Sequence, residues 1–249
     1  MRYDGVLLCS DFDGTLAYYG KVSKENIEAI KMFQENGGLF TLSTGRTPYF
    51  ITENFKDLKV NAPMICVNGA SIFDCAQNKE LMTSLLGNTS AFAKDMFCHK
   101  SCQGVRLILQ DYSTVAIEKG DVETLQKHVN DPMFKMVYVF EDTEAPIENL
   151  NKYIKLYGNE FYFSRSWEYS LEVSNITATK GKMLQKLKTM LPNVTTTIGV
   201  GDFDNDVSLV KEADIGYAVA NAEEVVKEVA DRITVPCQEN AIAKIIYEL

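Results

Sequence analysis

The sequence lacks several features that would place it in a special class of protein. No apolar stretch approaches the length of a membrane span, and no low-complexity run or repeat is present. Basic residues are outnumbered by acidic ones: the chain has 25 Lys and Arg and 34 Asp and Glu, which gives a formal net charge of −9 at pH 7. Nonspecific binding of nucleic acid depends on clustered Lys and Arg. We therefore expect neither a membrane nor a nucleic acid partner.

The six cysteines include no C-x-x-C pair and are typical of free thiols in a reducing cytosol. Cys98, His99 and Cys102 form the only cluster that hints at zinc, but no fourth ligand is evident beside them. The first apolar segment begins close to Met1, which leaves no room for a cleavable signal. We expect a cytoplasmic protein that is a monomer or a weak homodimer.

Apolar and polar segments predict strands and helices in alternation. The 249 residues, 46% of them hydrophobic, are enough for one large domain or two modest ones. Residues 6–9 predict a buried strand, Ser23 can cap the next helix, and Thr47-Pro48 opens another. The rhythm resumes at Lys180, and Asn221 is predicted to cap a late helix. Such alternation predicts a Rossmann-like, doubly wound parallel sheet of the α/β class.

The middle of the chain follows a different pattern. Residues 104–110 with 114–118, and residues 160–164 with 169–174, are spaced as two hairpins, which require antiparallel pairing. Together with the helices around them, they predict an α+β module inserted into the α/β core. We expect the core to comprise residues 1–83 and 178–249, and the module to comprise residues 84–177.

Polar residues follow three predicted strands and open one predicted helix. They are Asp11 and Asp13 after the first strand, Thr44, Gly45 and Arg46 after the second, Lys180 at the start of a helix, and Asp202, Asn205 and Asp206 after a late strand. Because the carboxyl ends of parallel strands meet at one edge of a sheet, these clusters can converge. Carboxylates so close together are unfavourable unless a cation or a transferring group needs them. An Asp-rich surface turn is the alternative for Asp11 and Asp13.

This combination is suited to phosphoryl transfer. A carboxylate can act as the covalent nucleophile, so that hydrolysis proceeds through an aspartyl-phosphate. Attack of one anion on another requires neutralisation, which Mg²⁺ held by carboxylates and the ammonium of Lys180 can provide. Thr44 and the Gly45 N–H add neutral donors, and glycine allows close approach.

The chain resembles the haloacid dehalogenase superfamily of phosphatases, in particular the Cof-type branch (subfamily IIB), in which a large α+β cap of the C2 type is inserted into the core. The resemblance covers nearly the whole chain. It rests on five motifs in the order typical of the family: Asp11-Phe12-Asp13-Gly14-Thr15-Leu16, Ser43-Thr44-Gly45-Arg46, Val67-Asn68-Gly69-Ala70, Lys180-Gly181, and Gly201-Asp202 through Asn205-Asp206. It implies a Mg²⁺-dependent phosphatase of small phosphorylated metabolites.

The resemblance also implies a role for each motif residue. Asp11 would be the nucleophile, and Asp13 the general acid and base. The implied metal ligands are Asp11, Asp13 (through its backbone carbonyl) and Asp202; the phosphate ligands are Thr44, Gly45, Lys180 and Asn205; Asp206 and Arg46 are supporting residues. Simpler interpretations stay open for three positions: Asp206 as a helix N-terminal charge, Arg46 as a surface ion pair, and Asn68 as a common turn residue.

The substrate is less well defined by the sequence. Arg165, Trp167 and Tyr169 lie near a predicted cap hairpin, where they either contact the substrate or pack in the cap. The family resemblance favours sugar phosphates, followed by flavin-pathway, nucleotide and pyridoxal phosphates. A phosphomutase, a signalling domain that stores phosphate on an aspartate, and a binding module with an inactive site remain alternatives.

Overall fold

The computed structural model describes all residues from 1 to 249. It divides the chain into two units. The first comprises Met1–Met82 and Thr179–Leu249, and we call it the core unit. The second, Thr83–Ala178, separates these two segments in the sequence, and we call it the inserted unit.

The elements follow one another in the order strand, helix, strand through much of the chain. The first segment contains β1 (Val6–Ser10), β2 (Ala17–Tyr18), β3 (Lys21–Val22), α1 (Lys24–Glu35), β4 (Leu39–Leu42), α2 (Pro48–Asn54), β5 (Met64–Cys66), β6 (Ser71–Asp74) and β7 (Lys79–Thr83). Next come α3 (Ala93–Phe97), β8 (Cys102–Leu109), β9 (Thr114–Glu118), α4 (Val122–His128), β10 (Met133–Phe140), α5 (Glu144–Tyr157), β11 (Phe161–Ser164) and β12 (Ser170–Asn175). The last segment contains α6 (Lys180–Met190), β13 (Thr196–Gly201), α7 (Val207–Glu212), β14 (Ile215–Ala218), α8 (Glu224–Lys227), β15 (Arg232–Ile233) and α9 (Ala241–Glu248). No helix combines the length and the hydrophobicity that crossing a bilayer needs.

The central sheet of the core unit has the strand order β15-β14-β13-β1-β4, and every neighbouring pair is parallel. In β1, Leu8 pairs with Phe40 on one side and with Ile198 on the other. Leu7, Leu8 and Cys9 have no exposed surface. A strand that is covered on both faces is a continuous apolar run, as residues 6–9 are. The predicted α/β class with a parallel sheet is confirmed.

Two helices of the core unit begin where their capping residues predict. The Ser23 Oγ accepts a hydrogen bond from the Asn26 N–H at 3.1 Å, directly before α1. The Thr47 Oγ1 accepts from the Phe50 N–H at 3.3 Å, and Pro48 occupies the first position of α2, where its missing N–H is not needed. These local signals fix both helix starts.

The prediction that Asn221 caps a helix is wrong. The helix in this region is short, and it begins at Glu224 with no side-chain cap. The Asn221 amide connects two loops instead, because its Nδ2 donates to the Gly14 carbonyl at 2.9 Å and its Oδ1 accepts from the Cys237 N–H at 2.7 Å. Partners far away in the sequence therefore determine the role of this side chain.

β5 (Met64–Cys66) lies beside the central sheet but belongs to a different sheet. Its contact with the central sheet includes a single parallel bridge between Ser43 and Ile65. It pairs antiparallel with β6 in a small sheet that continues to β7. The hairpin of β2 and β3 was not predicted, because two-residue strands show no alternation that a pattern could reveal.

The inserted unit contains a five-stranded antiparallel sheet in the order β11-β12-β10-β8-β9. Both predicted hairpins are present, as β8 with β9 and β11 with β12. Phe92 lies in a cluster of aromatic rings, with centroid distances of 5.1 Å to both Tyr157 and Phe161. A buried ion pair also joins two strands of this sheet, because the Lys135 Nζ lies 2.7 Å from the Glu172 Oε2.

Two glycines allow α7 to pack closely against the central sheet. A Cβ at Gly216 would lie 2.1 Å from the Val210 carbonyl oxygen, and one at Gly199 would lie 2.6 Å from the Leu209 carbonyl oxygen. We expect Gly216→Ala to lower the free energy of unfolding by about 1 to 3 kcal/mol, because the backbone of α7 must move to admit a methyl group.

Urea unfolding of the two proteins measures this difference. Gly87→Ala is the matched control, because the nearest atom to its new Cβ would be the Phe161 Cε1 at 3.8 Å, an ordinary contact. Equal stabilities of the two variants would contradict the packing argument.

Candidate active site

Three neighbouring strands end at the same edge of the central sheet. Asp11 directly follows β1, Asp202 directly follows β13, and Thr44 lies two residues after β4. The Asp11 N–H donates to the Val200 carbonyl at 2.8 Å, which continues the pairing one residue beyond β1. Since these strands are adjacent and parallel, their polar residues converge in the crevice where open α/β sheets bind ligands.

Three carboxylates and one ammonium form the centre of this crevice. Carboxylate oxygens of Asp11, Asp202 and Asp206 all lie within 4.8 Å of one another. The Lys180 Nζ lies 2.5 Å from the Asp11 Oδ1 and also contacts the Asp206 Oδ1. The Thr15 hydroxyl donates to the Asp202 Oδ1 at 2.7 Å. The predicted convergence of residues that are up to 195 positions apart (206 minus 11) is thus present in the fold.

The oxygens of Asp206 are both occupied within the protein. Its Oδ1 accepts from Lys180, and its Oδ2 accepts from the backbone N–H groups of Asp202 at 3.0 Å and Phe203 at 3.3 Å. The hydrogen bonds described above use only one oxygen of Asp11 and one of Asp202. Asp206 therefore holds the lysine and the loop, which leaves Asp11 and Asp202 as the carboxylates suited to hold a cation.

Burial and like charge raise the pKa values of the acidic groups. Burial raises the pKa of Asp11 well above its ordinary value, and the Asp206 carboxylate raises it further. Burial, followed by the charge of Asp206, raises the pKa of Asp202 to about 7. Burial alone would lower the pKa of Lys180, but Asp11 and Asp206 outweigh it and keep that pKa above its usual range. Lys180 therefore remains charged. Its single positive charge is shared by the three acidic groups Asp11, Asp202 and Asp206.

Donors for a phosphate group lie beside this cluster. Thr44 is fully buried, and its Oγ1 accepts from the Arg46 N–H at 3.1 Å. Asn205 is 6% exposed, and its Nδ2 donates to the Asn68 Oδ1 at 3.1 Å. A Cβ at Gly45 would lie 3.0 Å from that same oxygen, so any side chain at this position would crowd the Asn68 amide.

Asp13 lies outside the carboxylate cluster. Its side chain is half exposed and pairs with both ends of the Arg46 guanidinium, at 2.8 Å from Nε and 3.1 Å from Nη2. This hydrogen bond raises the pKa of Arg46, whose guanidinium carbon also lies 4.5 Å from the centre of the Phe50 ring. Arg46 is therefore the residue that determines where the Asp13 carboxyl points.

A family model of haloacid dehalogenase-like hydrolases matches residues 8–246. The chain belongs to this family. The 5-amino-6-(5-phospho-D-ribitylamino)uracil phosphatase YcsE of Bacillus subtilis (strain 168) is 30% identical over 246 residues, which cover 96% of this chain and 94% of that protein.

Solved structures show the same fold. A haloacid dehalogenase-like hydrolase from B. subtilis superposes with a TM-score of 0.83 at 22% identity, over 98% of this chain and 99% of that one. The HAD subclass IIB sugar phosphatase BT4131 superposes with a TM-score of 0.78 at 21% identity, over 97% of this chain and 98% of that one. The prediction of a HAD-type phosphatase is confirmed.

In this haloacid dehalogenase-like hydrolase, the donor set is suited to a hard divalent cation. Asp11 and Asp202 offer carboxylate oxygens, and no sulfur or imidazole ligand belongs to the cluster. Such a cation would also relieve the excess of buried negative charge.

Cys98, His99 and Cys102, the candidate zinc cluster, form no comparable group. The Cys102 thiol donates to the Gly104 carbonyl at 3.5 Å, and the His99 Nδ1 accepts from the Ser101 N–H at 3.3 Å.

Arg165, Trp167 and Tyr169 lie in the inserted unit, in the loop between β11 and β12. The Trp167 and Tyr169 side chains are 43% and 37% exposed, and their ring centroids are 5.7 Å apart. Neither ring belongs to the hydrophobic core of the inserted unit. Arg165 is partly exposed.

Two contributors to the site were missed by sequence reasoning. Thr15 orients Asp202 through its hydroxyl, although the motif that contains it was recognised. Asn68 was interpreted as a possible turn residue, but it is 3% exposed and contacts Asn205. The Asn-Gly pair predicts a turn and gives no information on which residue the Asn side chain meets.

The raised pKa of Asp202 predicts how the stability of the metal-free protein depends on pH. Between the unfolded value near 3.8 and the folded value of about 7, the folded state binds a proton that the unfolded state does not. The stability that this group contributes is therefore present at low pH and is lost as pH rises through about 7. Because Mg²⁺ needs the ionised carboxylate, we expect it to raise the melting temperature more at about pH 8 than at about pH 6.

Thermal unfolding with and without Mg²⁺ at both pH values measures this effect. Asp202→Asn should abolish most of the shift, whereas Asp57→Asn, at an exposed position, should keep it. A Mg²⁺ shift of equal size at both pH values would contradict the assignment.

Removing the buried ammonium of Lys180 should destabilise the protein, because the carboxylates around it would then be buried without a counter-charge. We expect Lys180→Met to lower the free energy of unfolding by about 3 to 5 kcal/mol at about pH 8, because two buried carboxylates lose their counter-charge. The loss should be smaller at a lower pH of about 5.5, because burial raises the pKa of Asp11 and so favours its protonation, which removes one of the two uncompensated charges. Urea titrations of Lys180→Met and of the unaltered protein at both pH values measure this difference in the free energy of unfolding.

Lys31→Met is the matched control, because Lys31 makes only an exposed pair with Glu35 at 3.8 Å. It should change stability by less than about 1 kcal/mol. A Lys180→Met variant as stable as this control at high pH would refute the electrostatic account.

Proposed function

We propose that this enzyme is a Mg²⁺-dependent phosphatase that hydrolyses small phosphate monoesters through an aspartyl-phosphate on Asp11. The observation that supports it most is the arrangement around Asp11, a buried carboxylate beside Asp202 and in contact with the Lys180 ammonium. A nucleophilic carboxylate attacking a phosphate dianion needs such a cationic setting.

Asp11 and Asp202 would hold the metal ion through their carboxylates, and Asp13 through its backbone carbonyl. Bound there, Mg²⁺ would neutralise charge on the nucleophile and on the transferring phosphoryl group. Lys180 would add a positive charge beside Asp11, and Asp206 would keep that ammonium in place. Thr44, Gly45 and Asn205 would supply neutral donors to the phosphate oxygens.

In the first step, an Asp11 oxygen bonds to phosphorus while the bond from phosphorus to the leaving alkoxide breaks. The alkoxide takes a proton from the Asp13 carboxyl and leaves as an alcohol. In the second step, the Asp13 carboxylate takes a proton from water, whose oxygen bonds to phosphorus as Asp11 is released. Arg46 holds the Asp13 carboxyl by two hydrogen bonds, and release of one of them would free a carboxyl oxygen for these proton transfers.

We propose small phosphate esters of polyhydroxylated alcohols, sugar phosphates first, as the substrates. The relative YcsE is named for a phosphorylated ribityl compound, which is an ester of this kind. Trp167 and Tyr169 have exposed aromatic faces, and Arg165 is a hydrogen-bond donor, which are groups suited to recognising an ester of this kind. We place the enzyme in the cytoplasm, where metabolites of this class are available; the prediction of a monomer or weak homodimer stays untested.

Release of inorganic phosphate from a panel of phosphate monoesters, with Mg²⁺ and with a chelator, tests the proposal. We expect turnover only with the metal, and a loss of at least about a thousandfold in kcat for Asp11→Asn, because the amide cannot act as the nucleophile. Asp57→Asn, on the exposed surface, is the matched control and should keep full activity.

Other outcomes would identify the alternatives. A hexose phosphate that is isomerised without release of phosphate would indicate a phosphomutase, and a long-lived phosphoprotein would indicate a signalling domain. Full biological activity of Asp11→Asn would indicate a binding module. For the aromatic loop, unchanged kcat/KM across the panel in Trp167→Ala and Arg165→Ala would exclude a role in substrate recognition.

A further inference from the structure

We propose that Asn68 is a positioning residue that aims the Asn205 amide at the substrate phosphate. This inference rests on the proposed function and deepens it, because it assigns a role to a turn that neither the catalytic mechanism nor the metal site requires. The observations that carry it are the backbone conformation of residues 67–69, the contacts of that turn, and a buried amide oxygen of Asn205.

The backbone of this turn is strained. Val67, Asn68 and Gly69 have φ angles of 52°, 57° and 95°, so three consecutive residues adopt the left-handed region. Glycine and asparagine tolerate this conformation, but for a β-branched residue such as Val67 it is an outlier. Such strain persists only where the surrounding structure enforces it, and it is concentrated at functional sites.

The surrounding contacts tie the turn to the loops of the active site. The Asn68 N–H donates to the Thr44 carbonyl at 2.9 Å, and the Val67 N–H donates to the Arg46 carbonyl at 3.1 Å. A Cβ at Gly69 would lie 2.6 Å from the backbone of Thr179, the residue before Lys180. The turn therefore packs against the loop after β4, which contains Thr44 and Arg46, and against the start of α6.

The side chain of Asn68 connects this turn to the loop after β13. Its Oδ1 accepts a hydrogen bond from the Asn205 Nδ2 at 3.1 Å, and both residues are more than nine-tenths buried. The same oxygen lies 3.0 Å from the position of a Cβ at Gly45. Asn68 thus lies between the phosphate-binding Gly45 and the phosphate-binding Asn205.

The hydrogen bond determines which end of the Asn205 amide can face an anion. A primary amide has two N–H donors on one nitrogen, and Asn68 uses one of them. The second N–H then has a fixed direction and is available to a phosphate oxygen. The Asn205 Oδ1, by contrast, is buried and has no hydrogen-bond partner. Without Asn68, this oxygen could turn toward the phosphate, where two acceptors would repel each other.

Replacing Asn68 by glycine tests the proposal, because glycine keeps the left-handed backbone and removes only the amide. We expect the KM for p-nitrophenyl phosphate and the Kd for inorganic phosphate to rise about tenfold, which is typical of losing a hydrogen bond to a charged group. The concentration of Mg²⁺ that gives half-maximal activity should not change. Asn78→Gly is the matched control, since Asn78 has a φ of 49° in an exposed turn between β6 and β7.

A double-mutant cycle separates positioning from a general structural effect. If Asn68 acts through Asn205, then Asn68→Gly should change the phosphate Kd by less than about twofold when Asn205→Ala is already present. Full additivity of the two substitutions, or an Asn68→Gly protein that binds phosphate as well as Asn78→Gly, would overturn the proposal. Should Asn68→Gly not fold, Asn68→Ala with Asn78→Ala as control enters the same cycle.

The two claims can fail separately. Absence of turnover by the unaltered chain would be a failure of the proposed phosphatase function, and the cycle in the Kd for inorganic phosphate would still decide the role of Asn68. Turnover accompanied by additive effects would refute the role of Asn68 alone.

Discussion

The interaction on which the active site depends is the contact of one buried ammonium with two buried carboxylates. Lys180 is 1% exposed, and removing a charge from water to that extent costs several kcal/mol unless partners compensate for it. Asp11 and Asp206 provide the compensation, and each comes from a different segment of the core unit. The end of β1, the start of α6 and the loop after β13 are therefore held together by the same charges that prepare Asp11 for reaction.

The parts of this structure that could be predicted depend on local chemistry or on sheet topology. Ser23 and Thr47 cap helices because their hydroxyls satisfy N–H groups three residues away, a relation that the sequence shows directly. The proximity of Asp11 and Asp202 could be predicted because each follows an apolar strand, and parallel strands place their carboxyl ends at one edge of the sheet. The separate recognition of five motifs assigned the family.

The parts that could not be predicted are choices among partners that are distant in the sequence. Nothing in the motif around Asp13 indicates that its carboxyl pairs with Arg46 rather than with the metal cluster. The amide of Asn221 joins Gly14 to Cys237, although its position before an apolar helix favoured a capping role. Asn68 and Asn205 are 137 positions apart, and only the folded chain reveals that they meet. These are rotamer choices, which packing decides.

The pairing of the central strand has a consequence for how the protein forms during synthesis. Leu8 pairs with Phe40 on one side, but on the other side its partner is Ile198, in a chain of 249 residues. A growing polypeptide therefore carries β1 with one open edge until β13 has left the ribosome, and the whole inserted unit is made in between. Contacts of such long range slow folding and leave strand edges open to aggregation, so the nascent chain is most vulnerable before β13 emerges.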